Sequence, residues 1–188
     1  FAGGTVVHMS VGFAALAGAI ILGRRKTHQK NEKHEPANVP YVLLGTGLLW
    51  FGWFGFNAGS ALAANATAVL AFATTNTASA AAAIAWIFFD AMRGKKPSAL
   101  GAAVGAVVGL VAITPGAGYV NIGQSIFIGT VASIVSNMAV NWKAKSTIDD
   151  TLDVFPCHGL GGMVGMFFTG VFASGVGLVY GTTNTFLI

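Results

Sequence analysis

The sequence predicts an all-α membrane protein with about six transmembrane helices, and three observations point there. Charged residues make up 9% of the 188, against roughly 25% in soluble domains; 54% are hydrophobic and mean hydropathy is +0.71. Six stretches approach the roughly 20 apolar residues that a bilayer core requires. All 10 Lys and Arg residues fall in alternate loops between those stretches, and basic loops collect on the cytoplasmic side.

The spans run roughly over 3–22, 41–63, 67–89, 99–113, 122–140 and 154–179. The fourth is short and extends toward Pro115. Arg24, Arg25, Lys26, Lys30 and Lys33 follow the first span, Arg93, Lys95 and Lys96 the third, and Lys143 and Lys145 the fifth. The first span therefore runs from outside to inside, and the others alternate. Gly101, Gly105 and Gly109 share one helix face, as do Gly161 and Gly165. That spacing suits close helix packing, because lipid-embedded helices associate through small residues. None of these glycines opens a helix after a strand, so no phosphate cradle is expected.

Composition excludes several function classes. One cysteine, Cys157, rules out an intrachain disulfide and a thiolate metal cluster. The net charge of +4 sits in short loops without interleaved aromatics, which argues against nucleic acid. A zinc hydrolase needs two histidines one turn apart with a carboxylate nearby, and no such spacing occurs. No metal or cofactor is expected. The chain opens on Phe1 inside an apolar stretch, without a cleavable-signal pattern, and reads as a piece of a longer protein.

Two histidines lie within spans: His8 after Gly3-Gly4-Thr5-Val6-Val7, and His158 after Phe155-Pro156-Cys157. His28 and His34 lie in the charged loop. An ionisable side chain in a bilayer is costly and faces a cavity or a partner. At 1.5 Å per residue, His8 and His158 reach mid-membrane from opposite leaflets. The competing reading is that each satisfies a local hydrogen bond in tight packing. If they pair, ring nitrogens should stand about 2.7–3.2 Å apart.

Span two reads Trp50-Phe51-Gly52-Trp53-Phe54-Gly55-Phe56-Asn57-Ala58-Gly59-Ser60. Trp50 suits an interfacial belt. Trp53 and Phe56 lie deeper, and Ser60 is one turn further out on the face of Phe56. A ring can gate a narrow pore and a hydroxyl can accept from a cation; for Phe56 taken alone, lipid contact or core packing is the favoured explanation. Asp149, Asp150 and Asp153 stand at the inner start of span six, where the helix dipole favours carboxylates. Asp153 sits deepest and is expected to be a structural helix-end acid that caps neighbouring backbone.

These motifs resemble the ammonium transporter (Amt/Mep/Rh) family. The resemblance rests on Phe1-Ala2-Gly3-Gly4-Thr5-Val6-Val7-His8, on Trp53-Phe54-Gly55-Phe56-Asn57-Ala58-Gly59-Ser60, on Ile113-Thr114-Pro115-Gly116-Ala117-Gly118-Tyr119-Val120, and on Asp150-Thr151-Leu152-Asp153-Val154-Phe155 through His158-Gly159. They come in family order, cover nearly the whole chain, and favour the microbial Amt branch. The resemblance implies an eleven-span fold of two inverted five-helix repeats. Residues 1–188 would be one transmembrane domain, the last span of the first repeat plus the five spans of the second. It implies an ammonium or ammonia channel-transporter and not an enzyme: a cation recruited at Ser60, deprotonated, passed by Phe56 with Trp53 lining the pore, and handed to a His8–His158 pair. It further implies a multi-pass homotrimer in the plasma membrane (the inner membrane of a Gram-negative bacterium) and a PII-type signal protein at the cytoplasmic face. The alternatives are a Rh-like gas channel, an ammonium sensor, or a membrane metalloenzyme built on the two histidines.

Overall fold

The computed structural model describes residues 1–30 and 36–181; Lys33 and His34 of the charged loop lie outside them. Among the described residues, seven α-helices form: α1 (Ser10–Leu22), α2 (Lys26–Gln29), α3 (Val39–Ala58), α4 (Ala66–Met92), α5 (Ala99–Ile113), α6 (Ile122–Lys143) and α7 (Gly161–Phe172). A π-helical turn precedes α1 over Gly4–Met9, and another precedes α7 over Phe155–Leu160. No strand forms among the described residues; one isolated bridge joins Gly175 and Gly181. Among the described residues, five stretches are long and apolar enough to span a bilayer.

Helix starts follow capping chemistry. Asn38, Asn65 and Ser98 each accept a backbone N–H from the first turn of α3, α4 and α5, satisfying donors that a helix start leaves open. Asn121 and Gln124 bond reciprocally at the start of α6, the capping-box arrangement.

The bundle centres on α4, α5 and α6. Its packing is backbone-close, as the glycine spacing predicts: a methyl on Gly109 would stand 2.5 Å from the carbonyl oxygen of Ala78, and one on Gly129 2.3 Å from the same atom. Hydroxyls cross between helices, Ser79 to the carbonyl of Ala106 at 2.9 Å and Ser133 to that of Ala82 at 2.7 Å. Such bonds in membranes contribute about 0.6 kcal/mol each.

α5 is shorter than a bilayer. Fifteen residues rise about 22 Å against a 30 Å hydrocarbon core. The turns over 114–120 are buried except at Tyr119, so irregular backbone at depth is covered by protein, the condition under which a membrane tolerates it.

The last span ends early. The expected stretch to Val179 stops at Phe172; Gly175 adopts φ 82, and the chain folds back with Leu178 N–H on Gly170 O at 2.9 Å and Val179 N–H on Val171 O at 3.0 Å. The Gly175-Val176-Gly177 run is apolar yet costly in a helix, since glycine interiors disfavour it by about 1 kcal/mol each.

Charge pairs fix the inner ends. The Arg25 guanidinium holds the Asp149 carboxylate bidentately at 2.7 and 2.9 Å, and the Arg25 backbone N–H adds a third bond at 2.9 Å. This places the C-terminal end of α1 beside the entry to the Phe155 turn, so the two histidine-bearing segments run in opposite directions.

Candidate functional site

Both intramembrane histidines sit inside π-helical turns, a local widening that recurs at functional sites. One turn on from His8, Gly12 meets Gly159: a Cβ on Gly12 would lie 2.3 Å from both Cα and N of Gly159. Two backbones in direct contact bring their neighbouring imidazoles together. The Nδ1 atoms of His8 and His158 are 3.4 Å apart and the ring centroids 5.5 Å, slightly longer than the 2.7–3.2 Å expected. His8 is 3% exposed.

Aromatic rings cover the outer side of the pair. Trp53 stacks on His8 with centroids 5.2 Å apart and planes 15° apart. The Phe56 ring lies 5.8 Å from that of His8 and 5.5 Å from that of Trp53. Ser60, one turn above, donates its hydroxyl to the Phe56 carbonyl at 2.8 Å, which leaves its oxygen lone pairs to accept.

On the inner side, His158, Cys157 and Asp153 line a cavity of about 440 Å³ with Val104, Val107 and Leu152. The acids divide their work differently from expectation. Asp150, not Asp153, caps the Phe155 turn, accepting its N–H at 2.8 Å. Asp153 holds φ 54 and pairs with Lys143 at 2.6 Å, while Lys143 also donates to the Asp150 carbonyl. Burial pushes the Asp153 carboxyl up, and the Lys143 ammonium opposes that shift. Asp153 thus stands at the helix end as an ion-pair partner. The ordinary carboxylate range is well above that of Asp149, chiefly because the Arg25 guanidinium bonds its charged form.

One residue of this site stands in a motif quoted above, but the sequence alone assigns it no role. Thr114, where α5 gives way to the buried turns, places its Oγ1 3.0 Å from Trp53 Nε1 and 3.2 Å from His8 Nε2. The arrangement offers stacked rings outside, two coupled imidazoles at the centre and a cavity with an acid inside. No group of three or more potential metal ligands gathers among the described residues.

Comparison with known proteins bears on this geometry. The model of the Ammonium Transporter Family matches residues 1–187. An ammonium transporter of Aquifex aeolicus is 52% identical over 194 residues, covering 100% of this chain and 45% of that protein. The crystal structure of Candida albicans Mep2 superposes with a TM-score of 0.86 at 44% identity, over 93% of this chain and 39% of that one. A structure named as a sensor Amt protein gives a TM-score of 0.85 at 35% identity, over 93% and 44%. The chain spans less than half the length of the relatives it matches.

Proposed function

This chain belongs to the Ammonium Transporter Family, and on that premise we propose that the full-length protein conducts ammonium or ammonia through the path that runs from Ser60 past Phe56 and Trp53 to the His8–His158 pair. The observation that carries the reading is the pair itself: two imidazoles 3.4 Å apart at Nδ1, contributed by opposite-running segments, with the His8 ring stacked on Trp53.

The chemistry follows from desolvation. Ser60 oxygen lone pairs accept from a cation at the outer mouth, and contact with the faces of Trp53 and Phe56 adds about 2 kcal/mol once water is shed. A cation entering an apolar passage loses hydration, which favours the neutral amine. Phe56 acts as the gate that interrupts the water column. Beyond it, the ring nitrogens of the pair supply the polar hydrogen-bonding site in the passage. No bond other than N–H is made or broken, so the protein is a conduit rather than an enzyme. Residues 1–188 constitute one span of a first repeat and five of a second. The working unit is a multi-pass homotrimer in the plasma membrane, with a PII-type protein docking on the basic cytoplasmic face.

Uptake of methylammonium by cells lacking their own transporters, carrying the full-length gene, tests this. Flux that disappears in His158→Ala while the trimer persists is expected; equal flux with and without the gene refutes conduction. The similarity to a sensor Amt protein favours a second reading, ammonium sensing, for which saturable ammonium binding without net flux is the signature.

A further inference from the structure

The donors and acceptors around Thr114 decide where the ring protons sit. Its hydroxyl has one proton and two lone-pair sites and three partners: the carbonyl of Leu110 at 2.8 Å, Trp53 Nε1 at 3.0 Å and His8 Nε2 at 3.2 Å. A carbonyl can only accept, so the Leu110 contact consumes the proton. An indole N–H can only donate, so Trp53 occupies one lone pair. The other lone pair then meets His8 Nε2, which must be the protonated nitrogen.

The chain itself builds this arrangement. Pro115 has no N–H, and the Thr114 N–H goes to the Val111 carbonyl at 3.2 Å. The Leu110 carbonyl is thereby served by the Thr114 hydroxyl. Turning the hydroxyl toward His8 instead would forfeit that bond at a site where Leu110 and Thr114 are both fully buried, and buried unpaired acceptors are costly.

A neutral imidazole carries one ring proton. With Nε2 of His8 protonated, its Nδ1 is bare, so the 3.4 Å contact requires His158 Nδ1 to donate. His158 Nε2 is then bare too, and no hydrogen-bond partner for it is found among the described residues. We propose that Thr114 is a positioning residue that fixes both tautomers, leaving the one free acceptor of the neutral pair on His158, the histidine that lines the inner cavity. An N–H of the substrate meets an acceptor only at the inner ring. This rests on the reading of the pair as part of a conduction path, and it gives that path a chemical polarity.

The test uses the full-length protein in lipid bilayers with ring-¹⁵N histidine, read by solid-state NMR, where protonated and bare ring nitrogens resonate apart. His8→Gln and His158→Gln identify the signals by their loss. Wild type is expected to show His8 protonated at Nε2 and His158 at Nδ1, with the other tautomers disfavoured about tenfold, the bias one hydrogen bond supplies. Thr114→Val should bring the two His8 tautomers close to equal, Thr114→Ser should restore the bias, and Trp53→Phe should leave it unchanged. A wild-type His8 protonated at Nδ1, or an unaltered bias in Thr114→Val, overturns the proposal; if Thr114→Val does not fold, the wild-type spectrum alone decides. Wild-type protein that shows these tautomers yet carries no methylammonium would sink the transport reading and leave the tautomer assignment standing.

Discussion

Gly12→Ala is the substitution that most directly separates the histidine pair. The added Cβ would stand 2.3 Å from both the Cα and the N of Gly159 and 3.2 Å from the carbonyl carbon of His158. Non-bonded carbons rest about 3.5 Å apart or more, so the two segments must part by on the order of 1 Å. Backbone faces backbone here, and no flexible side chain can yield. Overpacking of this kind destabilises by roughly 1–3 kcal/mol. The functional effect should be larger than the structural one: Nδ1 atoms now 3.4 Å apart would move beyond hydrogen-bond reach. A misplacement of about 1 Å at a reacting centre costs up to 100-fold, so methylammonium flux should fall roughly 10- to 100-fold in trimers that still assemble. Gly161→Ala is the control, because its Cβ would meet ordinary contacts at 3.5 to 3.8 Å beside the same histidine and should leave flux near wild type. Flux and thermal stability at wild-type values in Gly12→Ala would refute the claim that this backbone contact sets the pair.

Phe56→Ala, removing a ring 5.8 Å from His8, should admit water to the pair and change conductance or selectivity for methylammonium, measured in proteoliposomes; unchanged flux would make Phe56 ordinary packing. Asp149 titrates lower when folded than when unfolded because Arg25 bonds its charged form, so its contribution is complete above the usual carboxylate value of about 3.9 and fades as pH falls below it. Asp149→Asn should therefore melt earlier than wild type near neutral pH, with the two curves converging below about pH 4. For topology, cysteine placed at Lys30, Lys95 or Tyr119 in a Cys157→Ser background should react with an impermeant external reagent only at position 119, since basic loops stay inside; labelling at 30 or 95 in intact cells would reverse the orientation.

The spans and the histidines are legible in the sequence because both are expensive to misplace. A charge in hydrocarbon or an unpaired imidazole costs several times what an ordinary substitution does, so their positions carry information that hydropathy alone reports. The early end of α7 is not legible in the same way: Gly175-Val176-Gly177 looks apolar to any hydropathy count, yet the chain leaves helical geometry at Ala173, with ψ 126, and turns back through Gly175 at φ 82. The π-helical turns around His8 and His158 escape for a related reason, since one extra residue in a turn leaves the apolar pattern intact. Asp150 and Asp153 illustrate the limit at a helix start, where three carboxylates suit the dipole equally and only the reach of Lys143 and of the Phe155 N–H tells them apart. Thr114 is the instructive case. A threonine in a membrane helix ordinarily bonds back to its own turn, and so does this one. What distinguishes it is that the back-bond commits its proton and turns its remaining lone pairs toward Trp53 and His8. The Thr114-Pro115 pair contains the cause, a missing N–H that redirects one amide and frees one carbonyl, but its consequence depends on which ring nitrogens lie within about 3 Å, and that is a property of packing between α3, α5 and the turn before α1.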